Sequence, residues 1–322
     1  MFTGDFNGNN ETLDELPCCL IDRLSGNGIV QNINFNNVDT RNAECDPAVA
    51  NTMHDESIVR FIKIENSQFK GVGSYFAGLG AYSRIGMVSN IIWGESSFDN
   101  VMIANSTLNG AGVNYVGGVV GEVYNNGSEV FNVMIVNVNI TGSGWEARVG
   151  GVAGKMRSVR IKEVYIGNTI VKVAGQKGYV GGVAGDSYKG SIQNVTVIDS
   201  IISGGRAGGI VGYSKSDKVS TCHVIRTEVK GRCVGGVIGC GESSEMKNAT
   251  VASSTIIADT DIPSVGGGIG YARDITAVDL TVIDTVISTT NESSLHGLSK
   301  VGGGFGNVTV RRTIFQYNDH QN

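Results

Sequence analysis

Four His, thirty Asp or Glu and six Cys are the residues of this 322-residue chain best suited to chemistry. Their spacing limits what that chemistry can be. His54, His223, His296 and His320 stand far apart and no HExxH pair exists, so a helical zinc-hydrolase site is not encoded. The densest acidic group is Glu44, Asp46, Asp55 and Glu56, interspersed with Cys45 and His54. It reads first as a solvated loop able to bind a ligand, and second as a metal or acid–base site. No cofactor is implied. Gly154-Lys155-Met156 comes nearest to a phosphate loop, but it lacks the Ser or Thr that such a loop offers its metal. Asp199 and Asp284 occupy equivalent positions three repeats apart, about 14 Å at strand spacing, which is too wide for a glycosidase pair.

The elements that must position these residues recur. Val116-Gly117-Gly118-Val119-Val120-Gly121 reappears at 149–154, 180–185, 207–212, 234–239, 265–270 and 301–306, with a degenerate copy assigned to 76–81. Counted on the second Gly, the intervals are 33, 31, 27, 27, 31 and 36 residues. A period of this size signals stacked supersecondary units. Between the copies run strand-like phrases such as Asn194-Val195-Thr196-Val197-Ile198, rich in Val, Ile and Thr at period two. The expected fold is all-β: a parallel β-solenoid of about nine coils, right-handed by analogy with parallel crossovers. Residues 1–56 read as an N-terminal cap and first coil with a polar insertion at 39–56. Residues 57–310 read as the solenoid and 311–322 as a tail. Val101, Ile103, Val133, Ile135, Val195, Val197, Val251 and Val282 are its expected core.

Two columns emerge when the repeats are aligned. Asn37, Asn66, Asn105, Asn137, Asn168 and Asp199 share one position, and a Ser or Thr usually follows. Asn tolerates the left-handed backbone of a sharp corner, and stacked amides can bond between coils. The expectation is a structural ladder that buries its polar partners. The second column lies in the Gly-Gly phrase, taken as one straight strand. If Val116 and Val120 point inward, then Val119, Val152, Val183, Ile210 and Val237 point outward beside Gly, forming an apolar stripe for a partner or for self-association.

Composition narrows the function classes. Net charge is −5 with no basic run, which argues against nucleic acid as the main partner. Apolar runs are short and broken, so no transmembrane helix is expected. Met1 leads into a polar, Asn-rich stretch that does not resemble a signal peptide, as expected of a processed fragment or a cytosolic chain. The cysteines fall into two groups, Cys18, Cys19 and Cys45, then Cys222, Cys233 and Cys240. The first group suits a stapled cap. On a straight strand Cys233 and Cys240 would stand roughly 23 Å apart, beyond disulfide reach, although Cys222 could bridge to either. Sequons at Asn10, Asn126, Asn139, Asn194, Asn248, Asn291 and Asn307 favour an extracellular or cell-surface glycoprotein. The sequon at Asn105 falls inside the ladder.

The recurring Val-Gly-Gly-Val-x-Gly phrase, the Asn-Val-x-Val strands and the opening Phe2-Thr3-Gly4-Asp5-Phe6-Asn7-Gly8-Asn9-Asn10 resemble the GLUG repeat family. That resemblance implies a β-solenoid of secreted and surface proteins, including adhesins and the non-catalytic region of streptococcal immunoglobulin A metallopeptidases. The expected function is a non-catalytic extracellular rod for adhesion or recognition, taking a protein or glycan surface ligand. The alternatives are a polysaccharide-processing β-helix enzyme and an accessory region of a larger secreted protease or toxin.

Overall fold

The computed structural model describes residues 1–16, 19–41, 47–72, 84–124, 127–175, 177–258, 264–289, 295–296, 305–311 and 313–317. They form a parallel β-solenoid with three sheets of nine, eleven and fifteen strands. Among the described residues, eight turns carry a strand in every sheet, and partial turns flank them. One turn shows the plan: Ala184–Tyr188 in the first sheet, Ser191–Ile198 in the second and Ile201–Gly208 in the third. Each strand pairs in parallel with its equivalents one turn away, as Ser191–Ile198 does with Lys218–Ile225. The stacking already begins at Asp5–Asp14 and still holds at Ile314–Tyr317, so parts of both end segments belong to the rod.

Local chemistry explains the three corners. Lys189 (φ 54°) and Asp199 (φ 51°) are left-handed and turn the chain into and out of the second sheet. Asn194 (φ 55°) adds a third left-handed residue inside the long strand. The extra residue lets Ile192, Val195 and Val197 all point into the core, each at 0% exposure. All eight expected core residues are buried, none more than 1% exposed.

The third corner is the Gly-Gly phrase itself, and it overturns the straight-strand reading. Tyr179–Gly181 ends the third sheet and Ala184–Tyr188 starts the first, so the chain bends between them. A Cβ on Gly182 would lie 2.1 Å from the Gly209 carbonyl oxygen of the next turn, and one on Gly185 would lie 2.5 Å from the Val149 nitrogen of the previous turn. Backbone approaches backbone here, and only Gly leaves room. Because the chain bends at this point, the next Val faces inward again. Val119, Val152, Val183, Ile210 and Val237 are therefore core residues at 0% exposure, and the expected apolar stripe and self-association face do not exist.

Two further assignments shift. Strand pairing sets Val116 and Gly117 opposite Ile85 and Gly86, so the degenerate copy is 85–90; the copy assigned to 76–81 lies outside the described residues. In the supposed insertion at 39–56, Ala50–His54 is a strand of the first sheet, and Ala48 and Val49 are fully buried. Their N–H groups donate to the carbonyls of Met87 and Val88, the place that the corner takes in the later described turns.

The Asn column is a corner ladder. Asn37, Asn66, Asn105, Asn137, Asn168 and Asp199 all have φ between 47° and 56°. Asn137 Nδ2 donates to Asn105 Oδ1 (3.1 Å) and Asn168 Nδ2 to Asn137 Oδ1 (2.6 Å), while Arg226 grips Asp199 through Nε (2.7 Å) and Nη2 (2.9 Å). These side chains are exposed, contrary to the expected burial. The buried ladder is the hydroxyl one residue on. Ser200, 2% exposed, donates to the Ile198 carbonyl (2.8 Å) and accepts from the Thr169 N–H (3.1 Å). Ser200→Ala should therefore cost about 1–3 kcal/mol, because it orphans a buried N–H, and Asn168→Ala about 1 kcal/mol or less. Urea unfolding midpoints that rank the two variants the other way would contradict this assignment.

A groove at the glycine corner

The glycine corner is re-entrant: outward side chains on its two sides converge. The third sheet contributes a column Arg84, Tyr115, Arg148, Tyr179, Arg206, Cys233 and Ser264, in register from turn to turn. Across the corner the first sheet contributes Ile91, Glu122, Lys155, Asp186, Tyr213, Cys240 and Tyr271. Each residue of the first column precedes its opposite number by seven positions, the separation of the bonded pair Cys233–Cys240. That disulfide, with Cα atoms 6.1 Å apart, corrects the expectation that these two thiols cannot meet. The bend brings them together, as it does Arg206 and Tyr213.

Alternating cations and rings line the third-sheet wall. Arg148 lies over Tyr115 (5.3 Å to the ring centre) and Tyr179 (5.0 Å), and Arg206 lies over Tyr179 (4.6 Å) and Tyr213 (5.6 Å). Tyr179 and Tyr213 pack edge to face at 5.8 Å. Glu122, 3% exposed, takes hydrogen bonds from both Arg84 and Lys155, and Asp186 accepts from Arg148 Nε at 2.7 Å. Burial opposes the charges on Arg148 and Lys155, yet their carboxylate partners hold both pKa values above the ordinary range. Burial raises the Tyr115 hydroxyl, and burial with the nearby Glu242 carboxylate pushes Tyr213 up to about 12.

An outer column runs beside the first: His54, Trp93, Tyr124, Arg157, Tyr188, Lys215, Glu242 and Arg273. Trp93 and Tyr124 pack at 5.3 Å, and Arg157 lies over Tyr124 (5.0 Å) and Tyr188 (5.2 Å). The floor and shoulder of the groove are thus aromatic and cationic on a chain whose net charge is −5. At the disulfide the groove deepens into a cavity of about 490 Å³, lined by Glu146, Lys177, Tyr179, Gly205, Arg206, Arg232, Cys233, Cys240, Ser264 and Tyr271.

Of the sequence-derived candidates, Cys233 and Cys240 line the cavity. Glu44, Asp46, Cys18, Cys45, Asn126 and Asn291 fall outside the described residues. His54 ends its strand beside Trp93, and burial with the Arg23 charge lowers its pKa. Asp55 and Glu56 form an exposed corner, and with Asn27, Gly94 and Glu95 they line a recess of about 420 Å³. Cys222 is a buried free thiol, and burial pushes its pKa up to about 12. Cys19 is half-buried near the N-terminus. Asn10, Asn139, Asn194 and Asn248 are exposed, as glycan acceptors must be, and Asn307 lies in the strand Phe305–Arg311. Of these other described positions, His54 alone belongs to the columns of the groove. The signal that would have found it was available: the residues immediately before and after each Val-Gly-Gly-Val-x-Gly phrase.

The chain defines a parallel β-solenoid with a polar, aromatic groove and a cross-corner disulfide, a bond that persists in oxidising compartments. No family model matches it, and no curated protein matches it. Among solved structures it is similar to a Bacteroides ovatus protein described as a putative immunoglobulin A1 protease, at 14% identity and a TM-score of 0.39, covering 89% of this chain and 68% of that one. A second likeness is to the A-module of an Azotobacter vinelandii mannuronan C-5 epimerase, at 8% identity and a TM-score of 0.19, covering 91% of this chain and 89% of that one. Among the described residues no helix is long and apolar enough to cross a membrane.

Proposed function

We propose that this chain is a non-catalytic recognition rod of the extracellular space, whose glycine-corner groove takes an extended surface ligand, a glycan or a polypeptide. The observation that carries the reading is the continuous Arg–Tyr wall along the re-entrant corner. A rigid stack of turns presents this wall as a preformed linear site, and rigid aromatic and guanidinium anchors are the side chains that dominate binding energies. The disulfide and the exposed sequons support an extracellular setting.

Catalysis is disfavoured by how the groove's acids and bases are held. Glu122 and Asp186 share a column two turns apart, about 10 Å at strand spacing, with Lys155 between them. Each is engaged by cations, a state that suits structure better than general acid–base exchange. Tyr213, with its pKa raised to about 12, is a poor base at neutral pH. Incubated with plant, bacterial and animal polysaccharides and with host surface proteins, the protein should be retained on at least one ligand and release no fragments from it. Release of oligosaccharides that disappears in Glu122→Gln or Asp186→Asn would establish the polysaccharide-processing alternative instead.

A further inference from the structure

The third-sheet arginines of the groove are neutralised by a rule that Arg206 breaks. Arg84 and Arg148 each find a carboxylate in the following turn of the first sheet, Glu122 and Asp186 respectively. Arg206 continues the column of Arg84 and Arg148. The position in the following turn that would supply its carboxylate is Cys240, and that residue is committed to the bond with Cys233. Among the described residues Arg206 has only ring contacts, to Tyr179 and Tyr213, and no carboxylate within ion-pair distance. Contacts with ring faces do not use up the guanidinium's N–H donors, which are left for an acceptor. This is also where the groove widens into the cavity of about 490 Å³. Among the described residues, Arg232 and Lys177 bring two further positive charges to the lining against one carboxylate, Glu146, and Tyr271 adds a ring.

We propose that this cavity binds the carboxylate of an acidic sugar, a uronate or sialate unit of a glycan lying in the groove. The inference rests on the recognition reading above and names its ligand class. A carboxylate fits because Glu122 and Asp186 satisfy the other two guanidiniums of the column in the same way, and Arg pairs with that group through two parallel N–H bonds. A sugar fits because the anion site lies beside Tyr179 and Tyr271 in a recess roomy enough for a pyranose ring, and rings bind such apolar faces. Arg84, Arg148, Lys155 and Lys215 are matched by the groove's own carboxylates. One anionic contact in a short stretch suits an acidic sugar better than a nucleic acid, with a phosphate at every nucleotide.

The test is calorimetric titration of the whole chain with oligogalacturonate, a hyaluronan oligosaccharide and sialyllactose, each beside its carboxyl-reduced form. At least one acidic probe should bind, its reduced form at least about tenfold more weakly. Arg206→Gln should erase that difference, and Arg206→Lys should keep part of it. A Cys233→Ala/Cys240→Asp variant should restore the internal counter-ion and lose the acidic probe, while its circular dichroism stays that of the parent. Equal binding of acidic and reduced forms would overturn the inference and leave the recognition reading standing. Silence toward every sugar, with binding of an acidic peptide or single-stranded DNA that depends on Arg206, would overturn the sugar assignment and leave only the groove. Silence toward every probe would overturn both.

Discussion

Gly181→Ala should destabilise the solenoid by about 3 kcal/mol or more, lowering the urea midpoint of the whole rod. The added methyl would sit 2.1 Å from the Ala184 carbonyl oxygen, 2.6 Å from that of Ile210 and 2.9 Å from the Gly212 nitrogen. All three obstacles are backbone, so no rotamer change relieves them, and overpacking against fixed backbone lies at the costly end of its range. The damage should spread, because each corner stacks on the next through bonds such as Gly182 N–H to the Gly208 carbonyl (3.3 Å) and Val183 N–H to that of Ile210 (2.9 Å). In a quasi-one-dimensional stack, a broken interface uncouples the turns on either side of it. A Gly181→Ala protein that unfolds at the parental midpoint would show that the corner is not built as described.

Acidification from pH 7.5 to 5 should stabilise the protein through Asp217, a direction opposite to that of carboxylates held ionised by salt bridges. Asp217 is 1% exposed; it accepts hydrogen bonds from the Gly190 N–H (2.7 Å) and the Ser214 hydroxyl (2.7 Å). Burial pushes its pKa up from 3.8 to about 6, although those hydrogen bonds pull the other way. Between these two values the folded chain binds more protons than the unfolded chain, so stability is greatest below about 4 and declines as pH rises through about 6. A shift of roughly two units corresponds to about 3 kcal/mol. His54, whose pKa is lowered by burial, acts in the opposite sense below its ordinary value of 6.5. The diagnostic quantity is therefore the difference between the parent and Asp217→Asn. The asparagine can accept from the Gly190 N–H through Oδ1 and donate from Nδ2 to the Ser214 hydroxyl, all without a charge, so it should flatten the gain on acidification and be at least as stable at pH 7.5. Parallel pH profiles for the two proteins would rule out a buried, proton-binding Asp217.

The three-sided stack was legible in the residues because its causes are local. A left-handed corner favours Asn or Asp wherever it falls, a buried strand face favours Val and Ile, and a backbone crossing admits only Gly. These preferences act within one turn and recur in every turn, so the period and the core residues could be read directly. The direction of the Gly-Gly phrase could not, since two consecutive glycines permit either a straight strand or a bend. Taken as straight, they put Val183 on the surface and kept Cys233 from Cys240; the bend buries the first and joins the other two. The groove was hidden for the same reason. Arg148 and Asp186 are 38 positions apart, and Arg206 and Tyr179 lie in different turns. Such pairs meet only after the corner has closed and the turns have stacked. Where Arg206 finds a half-cystine in place of a carboxylate, the arrangement depends on successive turns arriving in register, a property of the assembled stack and of no single repeat.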